Sequence, residues 1–399
     1  MGDEWSSRAD AAEEAMVSRH VRRLWALPGT ALGVVAWPAV RKERLFLTWH
    51  YWWQAHLLDC MIDAAEREPT AKRRRRIAKT ARAHRIRNLT GWTNSYYDDM
   101  AWLGISLERA QRLQHVDYRI PIQALESEVF DSWAPERGGG IPWCKRSNFY
   151  NTPANGPAAI MLARTGRLWR AQAMSDWIDA TLRDPATGLI FDGVRTGIRA
   201  SGVDLAAQAL LSGRRRTPNL EPGAERQELD RAIYSYCQGV VLGLETELAV
   251  RVGNPRHRER VHALVAAVDR NLTVDGVISG GGGGDGGLFD GILARYLALV
   301  AADLPGDDAA DLRARRTAGA IVLDSADAAW DNRLQVEGLP LFGHDWAKPA
   351  QMPGLGGGIA TFTGGTVRSS DIAERDFSVQ LGGWMLMEAA HVAAGAFGR

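Results

Sequence analysis

Residues 232–277 read AIYSYCQGVVLGLETELAVRVGNPRHRERVHALVAAVDRNLTVDGV, and this stretch decides the fold. Ile233, Tyr236, Cys237, Val240, Val241, Leu244 and Leu248 recur at the i, i+3, i+4, i+7 spacing of one helix face. Gly253 then breaks the pattern, and a glycine just past a helix end suits the left-handed turn that closes it. Val261, Leu264, Val265 and Val268 mark a second helix, which runs into Asp275-Gly276-Val277. The same unit occurs earlier in the chain. LARTG ends a helix at Gly166, RLWRAQAMSDWIDATL follows, and Asp192-Gly193-Val194 comes next. A helix hairpin followed by an Asp-Gly loop is thus used twice.

Working outward, Phe289, Ile292, Leu293, Tyr296, Leu297 and Val300 give the same period, as do Trp53, Leu57, Cys60, Met61 and Ala64. No series of alternating strands competes with them, although short β-hairpins are expected around 189–194. On the order of twelve helices are expected, enough to close six hairpins into a ring. The expectation is therefore an all-α chain forming a single domain over 1–399. Long loops are expected at 138–151, 212–228, 275–287 and 339–369, and loops of this length are often functional.

Charge narrows the function. The 399 residues carry 48 basic and 47 acidic side chains, net +1. A nucleic-acid partner is not expected, because such proteins need a net basic surface. The basic runs at 72–76 and 214–216 read as a solvated helix face and a loop. Cys60, Cys144 and Cys237 are odd in number and too widely spaced for a zinc motif, which suits a reducing compartment. The opening MGDEWSSRADAAEEAM has no apolar run, so no signal peptide is read and a cytoplasmic location is expected. No segment is long and apolar enough to span a bilayer. The nine histidines are scattered without a ligand pair, so neither metal nor other cofactor is expected.

The chemistry concentrates in Asn94-Ser-Tyr-Tyr-Asp-Asp-Met-Ala-Trp102, which opens a helix whose Leu103, Leu107 and Ala110 mark a buried face. Ser95 and Asp98 fit a capping-box spacing, and first-turn acids favour the helix dipole. That structural reading accounts for the acids but not for the flanking tyrosines or for Trp92 and Trp102. Glycoside hydrolysis accounts for more. A retaining hydrolase holds two carboxyls about 5–5.5 Å apart, one as nucleophile and one as acid/base. Asp98 and Asp99 are candidates for that pair. Like charges so close cannot both ionise freely, so one keeps its proton. A magnesium-diphosphate motif is excluded, because Asp98-Asp99-Met-Ala-Trp102 lacks an acid at the fifth place.

NSYYDDMAW resembles the signature of glycoside hydrolase family 76, the α-1,6-mannanases. GGGIPWCKRSNFYNTPAN at 138–155, AIYSYCQGVVLG at 232–243 and GLFDGILARYL at 287–297 are similar to further segments of that family in order and spacing. The resemblance implies an (α/α)6 toroid of antiparallel helical hairpins and a retaining, endo-α-1,6-mannanase-like hydrolase. It implies an α-mannan or manno-oligosaccharide substrate, with Asp98 as nucleophile and Asp99 as acid/base. The chain departs from the family at Pro142, where a tryptophan is usual, and at Asp290, where a lysine is usual. These departures bear on sugar subsites. A non-catalytic glycan-binding toroid, or a toroidal hydrolase acting on another sugar, are the alternatives.

Further candidates surround the pair. Trp143, Tyr234, Tyr236 and Phe289 are expected as stacking platforms for sugar rings, although Tyr236 and Phe289 also lie on apolar stripes. Asn148, Asn151, Asp192 and Gln238 are expected to bind sugar hydroxyls, against a capping or turn role for the asparagines. Gln238 is expected to aim into a central cavity. Asn94 and Tyr97, flanking the acids, complete the substrate-binding set. GGGGGDGG at 280–287 is neither a phosphate loop nor a calcium repeat, and reads as a mobile loop at the cleft rim.

Overall fold

A computed structural model describes residues 2–89, 91–114, 116–199, 225–354 and 356–397. Twelve long helices occur among these residues: α1 Gly2–Arg19, α2 Tyr51–Arg67, α3 Ala71–Arg87, α4 Tyr97–Gln114, α5 Arg119–Asp131, α6 Thr152–Arg164, α7 Leu168–Leu182, α8 Ser235–Val252, α9 Pro255–Leu272, α10 Phe289–Asp303, α11 Ala309–Asp331 and α12 Phe377–Phe397. The even-numbered helices form an inner ring. α2 packs on α4, α4 on α6, α6 on α8, α8 on α10, α10 on α12, and α12 returns to α2. Each inner helix carries an outer one, α3 on α2 and so on around to α1 on α12. The expected helical toroid is present, with one refinement: its last hairpin pairs the first helix with the last.

Local chemistry sets the helix boundaries. The Asn151 side chain accepts from Ala154 N (3.2 Å) and caps α6, with Pro153 at the start. Asn254 caps α9 in the same way, ahead of Pro255. Asp308 and Asp311 form a reciprocal capping box on α11. Gly253 ends α8 at φ 71°, the left-handed conformation expected of it. The inner helices are buried on most sides, and Trp53 and Trp384 are among the largest fully buried side chains. α10 and α12 cross where Gly291 faces Gly382. A Cβ on Gly291 would stand 2.9 Å from Gly382 Cα, so both helices need glycine there.

The inter-helix segments hold more structure than expected. Strands β1 (Phe149–Asn151), β2 (Gly193–Arg199) and β3 (Glu225–Asp230) form an antiparallel sheet, with Tyr150 opposite Val194 and Val194 opposite Leu229. Residues 339–369 contain the hairpin of β4 (Thr361–Thr363) and β5 (Thr366–Arg368), with Phe362 opposite Val367. The segment 212–228 lies mostly outside the described residues, as does the basic run 214–216. The run at 72–76 is not a plain solvated face. Arg73 is buried and paired with Glu13 (2.6 Å), Asp10 (2.5 Å) and Glu68 (2.7 Å), tying α3 to α1. Among the described residues no helix is long and apolar enough to cross a membrane.

Candidate functional site

The inner helices run parallel, and their N-terminal ends open onto a cavity of about 1180 Å³. His50 and Trp52 reach it from the start of α2, Asp98 and Asp99 from α4, Pro153 from α6, Tyr236 from α8 and Phe289 from α10. Helix N-termini carry partial positive charge, so the ring gathers several of them around one space.

Asp98 and Asp99 lie in the first turn of α4. The segment 142–150 lies against the chain just before that helix and fixes it. Tyr97 N donates to Trp143 O (3.0 Å) and Lys145 N to Ser95 O (2.8 Å). Trp143 Nε1 donates to Asp98 Oδ2 (2.8 Å), and Asp99 N donates to Asp98 Oδ1 (2.8 Å). Asn94 Nδ2 donates to Asp99 Oδ2 (2.5 Å), while Asn94 Oδ1 accepts from Tyr96 N (2.8 Å). Asn94, rather than Ser95, therefore organises the approach to the helix.

The two acids differ electrically. Burial pushes Asp98 up to about 7, opposed by the N–H groups of Asp99 and Trp143. Burial pushes Asp99 well above the carboxylate range, and the charge of Asp98 adds to that. Asp98 has donors on both oxygens and is better provided for as an anion. Asp99 is the one that retains its proton.

A third acid faces the same space. Asp285 lies in the short helical turn Gly284–Leu288, inside the glycine run that reads as a mobile rim. It is a built part of the site. Its Oδ1 accepts from the indoles of Trp53 (2.9 Å) and Trp52 (3.2 Å), and its Oδ2 from Val367 N (2.7 Å). Burial lifts it to about 6. Asp192 lies where the sheet meets the cavity. Its Oδ1 is buried and has no hydrogen-bond partner among the described residues. Burial and the neighbouring Asp230 lift it to about 7, with Arg195 acting the other way.

Of the residues singled out in the sequence, Asp98, Asp99, Asn94, Trp143, Asn151, Asp192, Tyr234, Tyr236 and Phe289 all line the cavity. Tyr236 and Phe289 stack on each other, centroids 4.0 Å apart at 19°, with Tyr234 edge-on to Phe289 at 5.5 Å. Three others do not line it. Gln238 is fully buried and clasps the backbone, accepting from Ile190 N (2.8 Å) and donating to Ile190 O (2.9 Å) and Tyr234 O (3.0 Å). It welds the segment before β2 to α8 and aims at no cavity. Asn148 donates to Thr196 O (3.0 Å) and holds the sheet together. Tyr97 packs against the core, and its neighbour Tyr96 takes the place by the cavity, edge-on to Trp143 at 5.2 Å.

Sequence reasoning missed Asp285, Trp52, His50, Tyr96, Arg195 and Phe362, all of which line the cavity. A signal existed for Asp285. It stands in the one acidic position of the glycine run, in the turn that leads into α10.

The model of the family described as Glycosyl hydrolase family 76 matches residues 4–211. The chain is similar to the solved GH76A alpha-1,6-mannanase of Salegentibacter sp. HEL1_6, at 25% identity, TM-score 0.76, covering 98% of this chain and 99% of that one. An inactive variant of that enzyme, two consecutive aspartates replaced by asparagine, is solved in complex with alpha-1,6-mannotriose and matches equally well. The Lin0763 protein from Listeria innocua shares the fold, at 23% identity and TM-score 0.72, over 97% of this chain and 96% of that one. No curated protein sequence matches the chain.

Proposed function

The chain belongs to glycosyl hydrolase family 76, and on that premise we propose that it hydrolyses α-1,6-linked mannose in mannan-type glycans with retention of configuration. The observation that carries this reading is the unequal pair on the cavity wall. Asp98, with hydrogen-bond donors on both oxygens, is the nucleophile, and the more proton-retentive Asp99 is the acid/base. The inactivated, mannotriose-bound mannanase from Salegentibacter supports both the substrate and the importance of two adjacent aspartates.

In the first step an Asp98 oxygen bonds to the anomeric carbon as the glycosidic bond breaks, and Asp99 delivers its proton to the departing oxygen. In the second, Asp99 takes a proton from water, whose oxygen displaces Asp98 and restores both groups. The Oδ1 of Asp192, buried and without a partner among the described residues, is an acceptor for a sugar hydroxyl. The stacked Tyr236 and Phe289 offer apolar faces to pyranose C–H groups.

The test is product analysis on linear α-1,6-mannan and α-1,6-mannobiose, with the anomeric configuration followed by NMR. The α-anomer is expected first. A first-formed β-anomer would contradict retention, and absence of sugar release would contradict the function. Asp98→Asn and Asp99→Asn are each expected to abolish release while remaining folded by circular dichroism.

A further inference from the structure

We propose that His50 and Phe362 form a sugar subsite beside the carboxylate pair, and so set which length of glycan the enzyme prefers. The inference rests on the α-mannoside reading above and deepens it.

His50 immediately precedes α2 and holds a left-handed backbone, φ 48° and ψ 97°. A non-glycine residue in that region is uncommon and strained, and such strain concentrates where a side chain must be aimed. The imidazole packs on Trp53, centroids 4.4 Å apart, and faces the ring of Phe362 at 6.4 Å and 35°. It lines the cavity. Burial depresses its pKa to about 4, so near neutral pH it presents one donor and one acceptor rather than a charge. A neutral, fixed donor–acceptor pair suits a sugar hydroxyl.

Phe362 approaches from the opposite side, on the β4–β5 hairpin. Its side chain is 60% exposed although it borders the cavity. Its strand partner Val367, on the same face of the hairpin, is buried, while the larger ring of Phe362 stays open to solvent. An exposed aromatic ring beside a neutral hydrogen-bonding group is a usual way to grip a pyranose, one face stacked and one hydroxyl bonded. The hairpin is fastened to the catalytic machinery at two points. Val367 N donates to Asp285, and Gly365 lies so close to Trp143 that a Cβ there would stand 2.3 Å from the indole. Trp143 in turn bonds Asp98, so the aromatic ring is held at a set displacement from the nucleophile.

The experiment compares wild type, Phe362→Ala and His50→Ala on α-1,6-manno-oligosaccharides of two to five units, reading kcat and KM for each length. Binding of the same sugars is measured by calorimetry, and folding by thermal melts. The expected result is a five- to twentyfold rise in KM for the longer oligosaccharides, with the shortest cleaved substrate changed less than twofold. Phe362→Ala, a change at an exposed site, carries the test if His50→Ala fails to fold. Equal losses at every length, or no loss at any, would overturn the subsite while leaving the hydrolase assignment standing. If wild type neither cleaves nor binds any of these sugars, the functional reading fails and the subsite falls with it.

Discussion

At the scale of single residues, the chemistry turns on protons. Asp98 must be ionised to attack and Asp99 protonated to donate. With Asp98 raised to about 7 and Asp99 higher, activity should climb as pH passes about 7 and fall once Asp99 deprotonates. The two midpoints belong to the coupled pair. A rate profile that peaks near pH 4 would refute the role split. Stability follows the opposite course. Both carboxyls hold their protons more tightly folded than unfolded, so their ionisation as pH rises destabilises the native state. Asp98→Asn should therefore melt a few degrees above wild type at pH 8 and match it near pH 4. This scale was partly legible in the sequence. Two adjacent acids announce themselves, and so did Trp143 and Asp192. Gln238 misled, because an isolated polar residue beside an apolar stripe can clasp backbone as readily as bind ligand. Asp285 was hidden by its glycine neighbours, which read as slack chain while in fact allowing a tight turn.

At the scale of elements, helix periods and glycine stops gave the hairpins, because side-chain spacing and C-capping are local matters. The β1–β3 sheet was not legible. β1 and β2 are separated by two whole helices, and pairing between distant segments leaves no local trace. Close helix crossings were equally silent. Replacing Gly291 with alanine would force a methyl against Gly382 Cα at 2.9 Å, backbone that cannot swing aside. The expected loss is about 1–3 kcal/mol, measurable by denaturant unfolding. An unchanged midpoint would mean that α10 and α12 separate more easily than their packing implies.

At the scale of the whole molecule, the two mouths of the ring are chemically opposite. The N-terminal mouth holds carboxylates raised by burial. At the other mouth, where the inner helices end, a second cavity of about 590 Å³ is lined by Arg109, Arg112, Arg164, Arg251 and Arg295 among acids. Arg109 bonds Asp59 (2.5 Å), Asp63 (2.6 Å) and Glu66 (2.6 Å), and Arg164 bonds Glu247 (2.6 Å). Cations suit the C-terminal ends of helices. Arg109→Ala would take away the partner of Glu66 and leave Asp59 and Asp63 to Arg295 alone, at a cost of about 3–5 kcal/mol in unfolding free energy. Turnover per folded molecule should stay within twofold, since the damage lies at the far mouth. A large fall in turnover with unchanged stability would show that the mouths communicate.

The closing of the ring by α12, which touches both α1 and α2, also bears on how the protein is made. During translation the first five inner helices can assemble only as an open arc, its two ends lacking a shared neighbour. The wall is completed when residues 377–397 leave the ribosome and slot between α10 and α2, the latter synthesised more than three hundred residues earlier. Until then the apolar flanks of α2 and α10 stay uncovered. A nascent chain stalled short of that point is a substrate for chaperones rather than for glycans.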